Sequence, residues 1–134
     1  MALLFPNQGE SIALKALLNH TAPQNLVLKL FKSNTTPAET DTEATYTEAD
    51  FTGYGAITLT GSSWTVTPGA PTSAAYAQQS FTSSAGSQNQ SVYGYFTIQT
   101  TSTLLVYAER FSDGPYVIVN NGDVIKVTPT ITCD

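Results

Sequence analysis

From Asn25 onward, apolar residues return at every second position, in short runs cut by turn residues. Leu26, Leu28 and Leu30 alternate with Val27, Lys29 and Phe31, and a side-chain period of two places alternate residues on opposite faces of a strand. Lys29 among these residues predicts that one face is partly wet. Further strand-like runs cover 54–60, 63–67, 75–83, 92–100, 103–111, 116–120 and 124–132. Between them stand Pro68-Gly69, Pro71, the polar stretches 84–89 and 100–102, Asp113-Gly114-Pro115 and Asn120-Asn121-Gly122-Asp123, all of them turn chemistry. About eight short strands at this spacing, with no helices between them, predict an all-β antiparallel β-sandwich. Jelly-roll-like and immunoglobulin-like topologies both fit, although the Cys–Trp–Cys signature of antibody domains is absent. Asn121-Gly122 predicts a hairpin, because both residues tolerate the positive φ of a tight turn. Pro129 removes a ladder donor and predicts an edge strand or a bulge in the last run.

The segment before the strands reads differently. In 7–19, Ile12, Leu14, Leu17 and Leu18 are apolar, and the step from Leu14 to Leu17 and Leu18 is helical. Asn7 is the expected cap, with Glu10 three residues on as in a capping box. This predicts a short helix that packs over a sheet, or an arm that docks elsewhere. At 134 residues the chain is one domain, 1–24 forming the arm or helix and 25–132 the sandwich. A chain of this length needs no disulfide or metal to fold.

Composition excludes several functions. Five basic residues against ten acidic ones, a net charge of −5, cannot neutralise a row of phosphates, so the chain is not an electrostatic nucleic-acid binder. No apolar run reaches 18 residues, so no helix is predicted to span a membrane. Cys133 and His20 are the sole cysteine and histidine, which leaves no intramolecular disulfide and no four-ligand Cys/His zinc site. Nothing implies a cofactor. The N-terminus lacks the basic and uninterrupted apolar regions of a secretory signal, so synthesis in a cytoplasm is expected. The sequons at Asn19, Asn34 and Asn89 are then chance products of a chain that is roughly a quarter Ser and Thr.

No catalytic constellation emerges. His20 follows the helix and is expected to meet its last carbonyls, no Gly-x-Ser-x-Gly elbow exists, and Cys133 sits in a terminal Thr-Cys-Asp. The long loop 33–50 carries Glu39, Asp41, Glu43, Glu48 and Asp50. The spacing of Asp41 to Glu43 and of Glu48 to Asp50 would project each pair to one side. The calcium-loop pattern is missing, and a docked or solvated loop is the expectation. Tyr93 and Tyr95 are expected to share one strand face, with Val92, Phe96 and Ile98 on the other. That tyrosine face suits ordinary half-buried packing, a protein interface or sugar stacking. Arg110, among so few cations, is expected to pair with a carboxylate. Leu3, Leu4 and Phe5 are awkward to leave in water and are the first choice for a docking arm. A hydrolase using convergent carboxylates such as Asp113 and Asp123 is a remote alternative.

Several stretches carry a resemblance. They are Thr40-Asp41-Thr42, 44–51 (Ala-Thr-Tyr-Thr-Glu-Ala-Asp-Phe), Gly53-Tyr54, Trp64-Thr65-Val66 and 76–81 (Tyr-Ala-Gln-Gln-Ser-Phe), with Tyr93-Gly94-Tyr95-Phe96, Ala108-Glu109-Arg110-Phe111 and 121–129 (Asn-Gly-Asp-Val-Ile-Lys-Val-Thr-Pro). Together, across roughly 25–132, they resemble the capsid decoration, or cement, proteins of tailed bacteriophages, particularly phages of cyanobacteria and other aquatic bacteria. The resemblance implies a non-enzymatic protein on the outer surface of the virion, bound to the major capsid protein and bridging its copies. It also implies a homotrimer, or three copies near a three-fold axis. The interface residues expected are Leu3, Leu4, Phe5, Glu39, Asp41, Glu43, Glu48, Asp50, Tyr93, Tyr95 and Arg110. A receptor- or glycan-binding module of a head fibre or tail is the alternative.

Overall fold

The computed structural model describes residues 3–133; Met1 and Ala2 of the expected arm, and Asp134, lie outside the described residues. One helix, α1 (Asn7–Leu17), precedes eleven strands: β1 (Leu26–Phe31), β2 (Ile57–Leu59), β3 (Thr65–Thr67), β4 (Thr72–Ala75), β5 (Gln79–Thr82), β6 (Gln90–Val92), β7 (Gly94–Gln99), β8 (Leu105–Arg110), β9 (Tyr116–Ile118), β10 (Val124–Val127) and β11 (Thr130–Cys133). Every strand pair is antiparallel, and the fold is all-β and sandwich-like with a short N-terminal helix, as the periodicity predicts.

The strand count exceeds eight because three predicted runs break, and each break sends the two halves to different sheets. The main sheet has the order β2-β1-β7-β8, and three smaller sheets have the orders β10-β5, β11-β4-β3 and β6-β9. The run 75–83 becomes the end of β4 and then β5, 92–100 becomes β6 and β7, and 124–132 becomes β10 and β11. Pro129, fully buried, lies in the last break, where its missing N–H costs no ladder bond. At the second break, Gly94 passes so close to the neighbouring backbone that a Cβ would lie 2.2 Å from the Glu109 carbonyl oxygen.

Side-chain burial divides into two clusters. The first joins main-sheet residues (Leu28, Leu30, Leu59, Tyr95, Val106, Tyr107) to Phe81, Val92, Ile118, Ile125 and Val127 of the small sheets. The second, Phe31, Phe96, Ile98, Leu105 and Ala108, belongs to the main sheet alone and is covered by Tyr46 from the 33–50 segment. Tyr46 stacks on Phe96 at 5.1 Å between ring centroids and leans on Phe31 at 4.9 Å. Burying each such Leu or Phe stabilises the fold by roughly 1.5–3 kcal/mol. Both faces of β1 are therefore largely apolar, and the partly wet face expected from Lys29 is not found: its side chain is only 16% accessible.

Candidate interaction surfaces

The acidic segment 33–50 is held to the sheet by cations that project from it. Lys29 Nζ lies 2.9 Å from Glu43 Oε1 and 3.0 Å from Glu48 Oε2, above the Phe96 ring. Burial alone would depress the Lys29 pKa, but the two carboxylates outweigh it and hold the pKa above its ordinary value. Tyr54 Oη donates to Glu48 Oε1 at 2.9 Å and accepts from the Leu30 N–H. Lys32 Nζ meets Asp50 Oδ2 at 2.6 Å, and Gln90 Nε2 donates to Asp50 Oδ1. Lys32 first, and Gln90 second, lower the Asp50 pKa. Asp41 Oδ2 accepts from Tyr46 Oη at 2.7 Å and from the Ala38 N–H. The two predicted carboxylate pairs therefore separate, and Glu43 and Glu48 converge across Lys29 instead. Glu39 is exposed, and its carbonyl receives the Asn7 N–H. Among the described residues no group of three or more His, Cys, Asp or Glu side chains is placed to hold a metal ion.

Arg110, expected to pair with a carboxylate inside the fold or across an interface, meets none within the described residues. Its guanidinium donates to the Thr35 carbonyl at 2.9 Å and to Asn34 Oδ1 at 2.7 Å and stacks over Tyr93, 5.0 Å from the ring centroid. It thus pins the same segment through neutral acceptors, and no carboxylate pairs with it among the described residues. Tyr93 and Tyr95 do not share a face. The break at Tyr93-Gly94 shifts the alternation by one, so Tyr95 joins Val92 in the first cluster, while Tyr93 lies against the second with Phe96 and Ile98. Tyr95 is buried and donates to Glu109, its cross-strand partner. Trp64 is half-buried, edge-on to Tyr76. Asp113 accepts from Tyr116 Oη, and Asp123 accepts two backbone N–H groups.

The N-terminal arm docks on its own chain. Leu4 exchanges both backbone hydrogen bonds with Ala108, at 2.9 and 3.0 Å, which extends the main sheet beyond β8. Leu3 and Phe5 pack on the first cluster, Phe5 against Tyr107. The expected capping box does not form. Pro6 is the N-cap and Asn7 the first helical residue, because the Asn7 N–H already reaches the Glu39 carbonyl. The other end closes through Asn19 at φ 53°, with the Asn19 and His20 N–H groups on the Ala16 and Lys15 carbonyls, a Schellman arrangement.

The helix presents an unexpected face to the sheet. Gly9 is buried, and a Cβ there would sit 1.9 Å from the Val106 carbonyl oxygen; Ile12 packs beside it. So close an approach selects small residues inward and turns the predicted leucine stripe outward: Leu14, Leu17 and Leu18 are 59%, 81% and 74% exposed. They lie one helical turn apart and form a single apolar ridge.

A second apolar surface lies between β9 and β10. The Asn120–Asp123 turn forms, with the Asp123 N–H on the Asn120 carbonyl, but the hairpin does not zip. Only Gly122 has a positive φ, 88°, the pattern of a type II turn, whose twist splays its strands, and not of type I′. Ser83 bonds Gly122 and Asp123, and Gln88 bonds Val119, so each arm is drawn to an outer partner. Asp123 Oδ2 stays inside the turn, accepting from the Asn120 and Val119 N–H groups, which lower its pKa. The result is an open groove of about 440 Å³ lined by Tyr116, Val117, Ile118, Asp123, Val124, Ile125 and Lys126.

No protein-family model, curated protein or solved structure matches the chain.

Proposed function

We propose that this chain is a non-enzymatic decoration protein of a bacteriophage capsid, one that binds the outer shell and bridges neighbouring copies of the major capsid protein. The observation that carries the reading is the outward leucine ridge of α1. A stripe of three leucines exposed to this degree, on a helix strapped to a rigid sheet, has the form of a helical anchor for an apolar groove on another protein. The internally bonded 33–50 segment supports it: a clamp loses less ordering entropy on binding when its own loops are already held. The sequence resemblance supplies the shell as the partner, and trimeric packing near a three-fold axis belongs to the same proposal. Many copies on one shell would allow each contact to be modest and still stabilise the assembled particle, because the protein binds the assembly and not its parts.

The test uses particles prepared without this chain. Adding the purified protein should coat the shell in many copies and raise the temperature at which the genome is released. Unchanged heat resistance, with no bound chain on the shell, defeats the proposal.

A further inference from the structure

We infer that the cleft between β9 and β10 is a strand-insertion slot that receives an extended segment of a different polypeptide, with apolar residues at alternate positions and one acidic residue facing Lys126. Under the decoration reading, on which this naming of the source rests, the donor is the shell subunit.

The argument begins with the backbone. β9 pairs only with β6, and β10 only with β5. Each therefore has one edge whose N–H and C=O groups have no strand partner, and both strands line the same groove. An unpaired edge is a template for another strand; here two such edges flank one gap. In a hairpin zipped about Asn121-Gly122, Ile118 would face Ile125 and Val117 would face Lys126, and these are the residues that stand apart across the cleft.

Size and chemistry agree with one inserted strand. A three-residue strand occupies a block of about 480 Å³, taking ~3.3 Å rise per residue, ~4.8 Å between strands and ~10 Å of sheet thickness. The groove holds about 440 Å³. Its inner wall carries buried Ile118 and Ile125, so an occupant needs apolar side chains on its inward face, while its outward face meets the exposed Val117, Val124 and Lys126. Lys126 is exposed and makes no ion pair among the described residues, and the Asp123 carboxylate is turned into the Asn120–Asp123 turn. The one charge the slot offers a ligand is therefore positive. Filling the gap would join β6-β9 and β10-β5 into a single five-stranded sheet.

The donor is not a second copy. An inserted strand must be unpaired on both edges, and every strand among the described residues already has at least one partner. Leu4 is likewise paired, to Ala108.

The experiment has two probes. The first is the capped peptide Thr-Val-Glu-Val-Thr-Val, titrated into the isotope-labelled protein and followed by amide resonances. Shifts confined to the two walls are expected. The Lys126→Glu variant should bind the same peptide at least tenfold more weakly and prefer its Glu→Lys counterpart. The second is the shell prepared without this chain, with amide hydrogen exchange read on the bound protein. Protection of both walls is expected, and Val117→Lys with Val124→Glu should cut shell binding at least tenfold while the melting temperature holds. No shift at millimolar peptide, or shifts elsewhere, overturns the slot. Self-association that the two valine variants abolish overturns the commitment to a foreign strand. Shell binding that survives them, with exposed walls, overturns the shell as donor but leaves the decoration reading standing. Peptide binding in the groove without any binding to shells upholds the slot and removes the decoration reading.

Discussion

Tyr46, Tyr54, Tyr95 and Tyr107 are neutral phenols held in the two cores, and burial raises all four pKa values above the ordinary 10.0. For the first three, a carboxylate beside the hydroxyl adds to the shift: Asp41, Glu48 and Glu109 respectively. A raised folded-state value means stability that is complete below pH ~10 and lost as pH climbs above it, because the unfolded chain releases those protons first. Tyrosinate absorbance followed through an alkaline titration should thus split. At least these four should ionise together with loss of the fold. Smooth ionisation of all seven tyrosines with the fold intact contradicts the placement. At this scale the sequence was legible where alternation was unbroken: Leu28, Leu30, Phe96 and Ile98 are buried as read. It misled at Tyr93 and Tyr95, because a one-residue break at a glycine exchanges faces and leaves no mark on composition. Within the fold Arg110 is held by a backbone carbonyl and an amide oxygen, acceptors that residue type alone does not point to.

The elements were legible in kind and less so in contact. A helix was readable in 7–19, but its orientation was not, because the determinant is one close backbone approach at Gly9 and not the largest apolar residues. That gives a substitution whose sign separates local from tertiary effects. Gly9→Ala improves intrinsic helix propensity by about 1 kcal/mol, yet the added methyl would meet the Val106 carbonyl at 1.9 Å. Overpacking of this kind costs roughly 1–3 kcal/mol, so net destabilisation by urea unfolding is expected, and net stabilisation would mean the helix is not seated there. The 33–50 segment was readable as a long acidic loop, docked or solvated; its carboxylates dock on Lys29 of β1 and on Lys32 just past it. Lys29→Met should cost about 2 kcal/mol at pH 7, between the value of an exposed pair and that of a buried one. The deficit should shrink as pH climbs past the ordinary lysine value of 10.5, because a raised Lys29 pKa contributes stability that is complete below that value and lost as the ammonium deprotonates. A deficit that does not change with pH would assign the loss to packing of the lysine stem.

For the whole molecule, what the sequence hides is where two correct strand runs stop pairing with each other. The runs 116–120 and 124–132 and the Asn-Gly turn between them were all readable, but the splay depends on competing partners, Ser83 and Gln88, supplied from elsewhere in the chain. The leucine ridge escaped notice for a related reason, since a stripe's period gives a face and not its direction. Replacing Leu14, Leu17 and Leu18 with Ser should leave the unfolding free energy within about 1 kcal/mol, because these side chains are already in water, while shell binding falls sharply. A large loss of stability would instead place the ridge inside the fold.

The pairing of Leu4 with Ala108 has a consequence for biosynthesis. Leu4 is synthesised well before its berth on β8. Until then Leu3 and Phe5 travel without cover, and the widest sheet has no means of closing its far border. The sheet's border is therefore closed late, and a ribosome stalled before Ala108 would hold a polypeptide whose Leu3, Leu4 and Phe5 still wait for their dock.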